Sequence, residues 1–195
     1  MGLTLVTAPA AEPLTTAEAK THLRVDNSED DVYIGALITA ARQEVERYTG
    51  RALVTQTWDL TLDAFPWGNG PIWLPRPPVQ SVTSISYVDD AGATQTWATA
   101  NYRVDITGET ARIEPAWSLN YPTTRGIVAA VTVRFVAGYG AAAAVPALMV
   151  HAIKLLVGEW YEQRQITTYG APGRAPWAVA EILSRYRVLD ERVAV

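Results

Sequence analysis

Histidines are the first residues to test for chemistry, because imidazole serves proton transfer and metal ligation near neutral pH. The chain has two, His22 and His151, far apart in sequence and in no His-x₃-His or His-Glu-x-x-His arrangement. No local zinc hydrolase site follows from that spacing. His22 reads as a helix-surface residue and His151 as a satisfied core or interface group. There is no cysteine, which removes thiolate nucleophiles, Cys-based zinc or iron–sulfur sites and disulfide scaffolds. A Ser-His-Asp triad assembles across a chain and is not excluded by counting, but no Gly-x-Ser-x-Gly elbow is present. Gly138-Tyr139-Gly140-Ala141-Ala142-Ala143 matches Gly-x-Gly-x-x-Ala after a strand pattern and before a helix pattern. A dinucleotide fold needs a βαβ unit with an acidic residue at the end of a second strand. Here Pro146 delays the helix, Glu159 lies on the helix itself and no second strand follows, so the segment reads as a strand-to-helix turn. The residues imply no cofactor, no metal and no enzyme.

The remaining chemistry is aromatic and charged. Of the seven tryptophans, Trp58, Trp67, Trp73, Trp97 and Trp117 fall in a strand-rich region. They could form a stacking platform for carbohydrate or bases, or pack a core or interface. Base stacking comes with basic neighbours, and the chain carries 16 basic against 20 acidic residues, a formal charge of −4. That balance argues against wrapping nucleic acid. Trp67 and Trp73, in a Pro-rich loop, are the candidates for an exposed contact. Glu29-Asp30-Asp31 could repel DNA from a channel wall, or serve as helix N-terminal charge. Only Lys20 and Lys154 are lysines among the basic residues. Arginine suits bidentate interface contacts, although genome base composition produces the same bias.

The elements that must position these residues fall into three zones, and 195 residues suit one domain or one domain with an insertion. In the first, Thr15 and Glu18 form a capping box for a short helix to about Leu23. Asn27 or Ser28 then caps a second helix, with Ile34, Leu37, Ile38, Ala41, Val45 and Tyr48 at helical period and Gly50 as its stop. The second zone, about Ala52 to Val136, reads as strands: Thr55–Leu62, Val79–Val88, a hairpin of Tyr102–Asp105 with Ala111–Glu114, and Ile127–Val136. Phe65 to Pro78, with Pro75, Pro77 and Pro78, is a long loop or an edge. The third zone opens at Pro146 with a helix to about Tyr161 that is apolar on nearly all sides and so reads as buried on most faces, a neighbouring subunit being one way to cover it. A loop from Gln163 to Ala175, a short helix from Pro176 to Arg185 and a charged-aliphatic tail, Tyr186 to Val195, complete the chain. The N-terminal segment lacks a signal-peptide pattern, Val6 spoils a myristoylation motif, and the apolar run Ala141–Val157 contains Pro146, His151 and Lys154, so a soluble, cytosolic protein without membrane contact is expected.

Leu14 to Val25, Asp30-Asp31, Ile34 to Ala41 and Glu44 to Arg51 together resemble the opening of the head–tail connector (adaptor) proteins of long-tailed bacteriophages and related prophage or gene-transfer particles. Arg134 to Gly140, Val145-Pro146, Leu148, Ala152-Ile153, Leu155-Leu156, Glu159-Trp160-Tyr161 and Arg164 resemble a later block of the same family. No single motif carries the resemblance; the ordered set does, and about Phe65 to Arg125 carries none of it.

The resemblance implies an α+β fold: a helical connector core (residues 1–51 and 137–195) with an inserted antiparallel β-rich subdomain (52–136). It implies a structural virion protein, a homo-oligomeric ring commonly of twelve subunits, lying in the neck between capsid and tail after assembly in the host cytoplasm. Such a ring joins the portal protein to a stopper or tail-completion protein, and DNA passes through it without sequence recognition. Met149, Ile153, Leu156 and Trp160 are then the candidates for subunit packing. Trp177, Arg185, Tyr186, Arg187, Leu189 and Arg192 are candidates for docking on the portal, and Glu29, Asp30 and Asp31 for facing the channel. The alternative is a carbohydrate-binding or tail-associated β module that uses exposed tryptophans.

Overall fold

The computed structural model describes residues 1–163 and 177–189. The fold is α+β, and its contacts gather into two compact units, Ala11–Val54 with Gly140–Val188, and Met1–Ala10 with Thr55–Tyr139 and Leu189–Val195.

The first unit is helical. Helix α1, Thr16–Leu23, begins as the sequence predicts: the Thr15 hydroxyl accepts the Glu18 N–H, and Glu18 accepts the Thr15 N–H at 2.9 Å. It stops where Arg24 turns left-handed (φ 59°) and the Val25 N–H reaches back to the Lys20 carbonyl. Helix α2, Asp31–Thr49, buries Ile34, Ile38, Ala41 and Val45 and ends at Gly50, whose φ of 72° suits a residue without Cβ. Its start differs from the expected Asn27 or Ser28 cap. Asn27 spends its side chain on the Glu29 N–H in a turn, and Asp30 occupies the cap position. Arg42, only 6% exposed, lies on the buried side of α2 between two carboxylates, Glu12 at 2.7 Å and Glu46 at 2.6 Å. Glu46 also accepts the Leu53 N–H at 2.9 Å.

Helix α3, Ala147–Glu162, is not covered on most faces by its own chain. Its burial is a single stripe, Met149, Ala152, Ile153, Leu156 and Val157, while Leu148 and His151 are exposed. The stripe packs chiefly on α2, with α1 and α4 (Trp177–Ser184) completing the unit. Val179 and Leu183 of α4 are buried. The chain then returns to the end of α2, where the Val188 N–H donates to the Thr49 carbonyl at 2.9 Å and Arg51 Nε to the Tyr186 carbonyl at 2.6 Å.

The second unit is built of antiparallel strands: β1 Gly2–Thr7, β2 Gln56–Leu62, β3 Ile72–Leu74, β4 Val79–Val88, β5 Thr94–Trp97, β6 Tyr102–Asp105, β7 Ala111–Pro115 and β8 Val131–Ala137. Five form one sheet in the order β1-β2-β8-β4-β5, and three a second in the order β3-β7-β6. Strand β8 lies at the centre of the larger sheet and buries Val131, Val133, Phe135 and Ala137 on alternate positions, the period-two pattern of a half-covered strand. Asp59 and Arg134 face each other across β2 and β8 and form a two-pronged ion pair at 2.7 and 2.8 Å. The expected hairpin is β6 and β7, paired from Tyr102–Pro115 to Asp105–Arg112. The strand expected from Ile127 begins only at Val131, because Ala129 is left-handed (φ 57°) and its N–H is held by Asp63. Edge strand β3 emerges inside the Pro-rich stretch, and β1 and β5 had no expected counterpart.

The capping box gives α1 a pH signature. The Thr15 hydrogen bonds hold the Glu18 carboxyl below its ordinary value of 4.5. A carboxyl depressed on folding stabilises above its unfolded pKa, and the gain fades as pH falls through the lower folded value. Amide exchange at Thr15 and Glu18 should therefore accelerate below pH 4.5 beyond the intrinsic trend, and Glu18→Gln should flatten that response. An unchanged profile in the variant would show that the cap does not depend on the charge.

Candidate interaction surfaces

The side chains that could have done chemistry are dispersed. His22 is exposed on α1, its ring against Gly158 of α3, and His151 is exposed on α3 and not in the core. Among the described residues no three His, Asp or Glu side chains are placed to hold a metal ion, and no helix is long and apolar enough to cross a membrane.

The face expected to meet a neighbouring subunit is mostly internal. Met149 and Ile153 have no exposed area and Leu156 has 1%. A side chain without accessible surface offers a partner nothing, so these three build the core of the helical unit. Trp160 is half-buried, and its carbonyl lies 3.5 Å from the Tyr33 hydroxyl.

The acidic run divides by environment. Glu29 is exposed. Asp30 accepts the Tyr161 hydroxyl at 2.6 Å, and Asp31 is paired with Lys20 at 2.7 Å. Two of the three carboxylates are thus engaged inside the unit. Beside them Val32 stands 88% exposed, an apolar surface residue that periodicity hides because it lies in the helical first turn.

At the other end of α2, Arg185, Arg187 and Leu189 are exposed and Tyr186 is half-buried. The Arg187 guanidinium lies 6.0 Å over the Tyr48 ring, a cation–π contact. The Trp177 side chain and Arg192 lie outside the described residues.

The tryptophans sort in an order that the sequence does not reveal. Trp67 is 80% exposed. Trp73 is not in a loop at all: it sits in β3, half-buried, with the Arg112 guanidinium 5.9 Å over its ring. Trp97 is buried in an aromatic cluster with Phe65, Tyr102 and Tyr121. Trp117 is 87% exposed, which its sequence neighbourhood barely signals; its place just after β7, where alternation ends, is the only local clue.

Trp67 and Trp117 lie on two loops that are fastened together. Asn69 donates to Asn120 at 2.6 Å and accepts the Tyr121 N–H at 3.2 Å, while Phe65 stacks on Tyr121 with centroids 4.8 Å apart. The Tyr121 hydroxyl reaches the Gly70 carbonyl at 3.0 Å, and burial, aided by the Glu114 charge, pushes its pKa up.

The described residues thus present a helical unit, a unit of antiparallel sheets, and exposed aromatic and arginine side chains on their surfaces. The chain belongs to the phage gp6-like head-tail connector protein family, which matches residues 14–112. Solved structures extend the similarity to nearly the whole length. A chain from the virion of a native gene transfer agent (GTA) particle is 31% identical, with a TM-score of 0.80 over 98% of this chain and 100% of that one. A chain from the neck of an empty GTA particle computed with C6 symmetry is 30% identical, with a TM-score of 0.79 over 97% of both. One from the neck of a native GTA particle computed with C12 symmetry is 30% identical, with a TM-score of 0.74 over 97% of both. A search of curated proteins returns no match.

Core placement of the α3 stripe makes Leu156→Ala a stability variant. It should destabilise the isolated chain by about 2–5 kcal/mol in denaturant unfolding. A loss of ring assembly with unchanged stability would return Leu156 to an interface.

Proposed function

We propose that this protein is a structural component of the neck of a tailed-phage or gene-transfer particle, where it forms a homo-oligomeric ring between the portal and a stopper or tail-completion protein. In this reading it is not an enzyme, and twelve copies line a channel that DNA traverses without sequence recognition. The observation that carries the reading is similarity across 97–98% of the chain to proteins from GTA particles, two of them neck structures computed with C6 or C12 symmetry. A head-to-tail ring is a heterologous interface that closes, so each copy must present two different surfaces. The helical unit would be the connector core and the β-rich segment an insertion in it.

Site roles follow from what remains accessible. Trp160 is the member of the expected subunit-packing set with surface to offer. Glu29 presents its charge to the channel more fully than Asp30 or Asp31, and the overall charge of −4 disfavours phosphate sticking. Arg185, Arg187 and Leu189 are the exposed candidates for the portal, with Trp177, Tyr186 and Arg192 in the same segment; arginine and aromatic side chains recur as interface anchors.

Native mass spectrometry of the chain with and without the portal protein from its own gene neighbourhood tests the assembly. The expected outcome is a ring on the portal, with twelve copies per complex; failure to form any complex would overturn the reading. Removal of Leu189–Val195 tests the tail separately. Because Tyr186 and Val188 are bonded to Arg51 and Thr49, that truncation should leave unfolding within about 0.5 kcal/mol of the intact chain. It should weaken co-sedimentation with the portal, since Leu189 and Arg192 are lost while Arg185 and Arg187 remain, and unchanged co-sedimentation would remove the residues from Leu189 onward from the interface.

A further inference from the structure

We infer that the β unit carries a binding site for neutral oligosaccharide in the cleft beside Trp67. This inference does not rest on the neck reading. The cleft, about 610 Å³ in volume, is lined by residues of the 64–69 and 120–124 loops together with Asp90. It is an open depression, shaped to meet one face of an extended ligand and not to enclose a small molecule.

Three observations fix the chemistry. First, Trp67 offers an exposed ring on a loop that is fastened to its neighbour. Pro66 precedes it, Gly68 and Asn69 follow in left-handed conformation, and the Asn69–Asn120 bond and the Phe65–Tyr121 stack hold the two loops together. A pre-positioned indole face lowers the ordering cost of stacking a flat apolar ligand surface. The C–H face of a pyranose is such a surface. Second, the polar lining is neutral except for one group. Asn120 uses its carbonyl oxygen on Asn69, which leaves its amide N–H donors directed elsewhere, and Thr123, Thr124 and Asp90 make no side-chain hydrogen bond among the described residues. Amide, hydroxyl and carboxylate groups beside an aromatic face match the alternating donors and acceptors of vicinal hydroxyls. Third, no lysine or arginine lines the cleft; the neighbouring Arg125 guanidinium is turned onto Gly92, and the one charged group in the wall, the Asp90 carboxylate, repels phosphate, nucleic acid or an acidic sugar. A lysine-bearing peptide could use Trp67 and Asp90 alone, but it would leave the Asn120 and threonine groups unused.

The test is tryptophan fluorescence and saturation-transfer NMR on the full chain. The probes are maltohexaose, cellohexaose, chitohexaose and a trilysine peptide. At least one oligosaccharide should bind with a dissociation constant on the order of 1 mM or tighter. Trp67→Ala should weaken it about tenfold or more, the effect of losing one stacked ring. Asp90→Asn should weaken it less, and Trp117→Ala, which lies outside the cleft lining, should not change it. Thermal unfolding of each variant verifies the fold. Absence of binding by all three sugars up to about 10 mM, binding insensitive to Trp67→Ala, or binding of trilysine alone would overturn the inference. So would Trp67→Ala blocking self-association while no sugar binds, because the ring would then be a contact between copies. Portal assembly is measured independently, so either idea can fail without the other.

Discussion

The helical unit is organised around one buried cation. Arg42 places a permanent charge on the inner face of α2, where only a well-matched counter-charge makes burial tolerable. Glu12 and Glu46 provide it, and each carboxylate holds a second group as well. Glu12 accepts the Thr39 hydroxyl, and Glu46 accepts the Leu53 N–H. The segment that leads into α1 and the segment that leaves α2 are thereby tied to the same guanidinium. The same helix α2 also buries Ile34, Ile38, Ala41 and Val45 and packs on α3, so loss of either glutamate would strip the buried guanidinium of one of its two partners within the core that α3 completes.

What could be read from the sequence was local. The Thr15–Glu18 box, the Gly50 stop and the β6–β7 hairpin are decided by residues within a few positions of one another, and each forms where its chemistry requires. What escaped was decided by distant partners. Apolar composition places α3 in contact with something, but it does not say whether Met149, Ile153 and Leu156 meet another helix of the same chain or a neighbour. Asp30 reads as helix-end charge, whereas its carboxylate is occupied by a tyrosine from the far end of α3. Strand β1 has alternating small and apolar residues too few to stand out, and β5 is four residues long.

The tryptophans make the same point for the candidate surfaces. Trp67 and Trp73 share one Pro-rich stretch, and composition treats them alike. A three-residue strand separates them: pairing of β3 with β7 brings Arg112 over Trp73, while Trp67 stays on the loop. Trp117 is similarly exposed because β7 ends before it. Family membership was legible in the ordered helical blocks; the stretch from about Phe65 to Arg125 showed no resemblance to the eye, yet the family match runs through it as far as residue 112.

The fastenings at both ends of α2 have a mechanical consequence. At its start, Asp30 is bonded to Tyr161 and Tyr33 lies against the Tyr161 ring, 6.2 Å between centroids. At its finish, Thr49 accepts the Val188 N–H and Tyr48 lies 3.4 Å from the Ala180 carbonyl. A helix of 19 residues spans about 28 Å, and sliding it by one residue, about 1.5 Å, would break contacts at both ends together. Axial sliding of α2 is therefore opposed at both of its ends, by side chains and backbone groups from α3, α4 and the segment after α4.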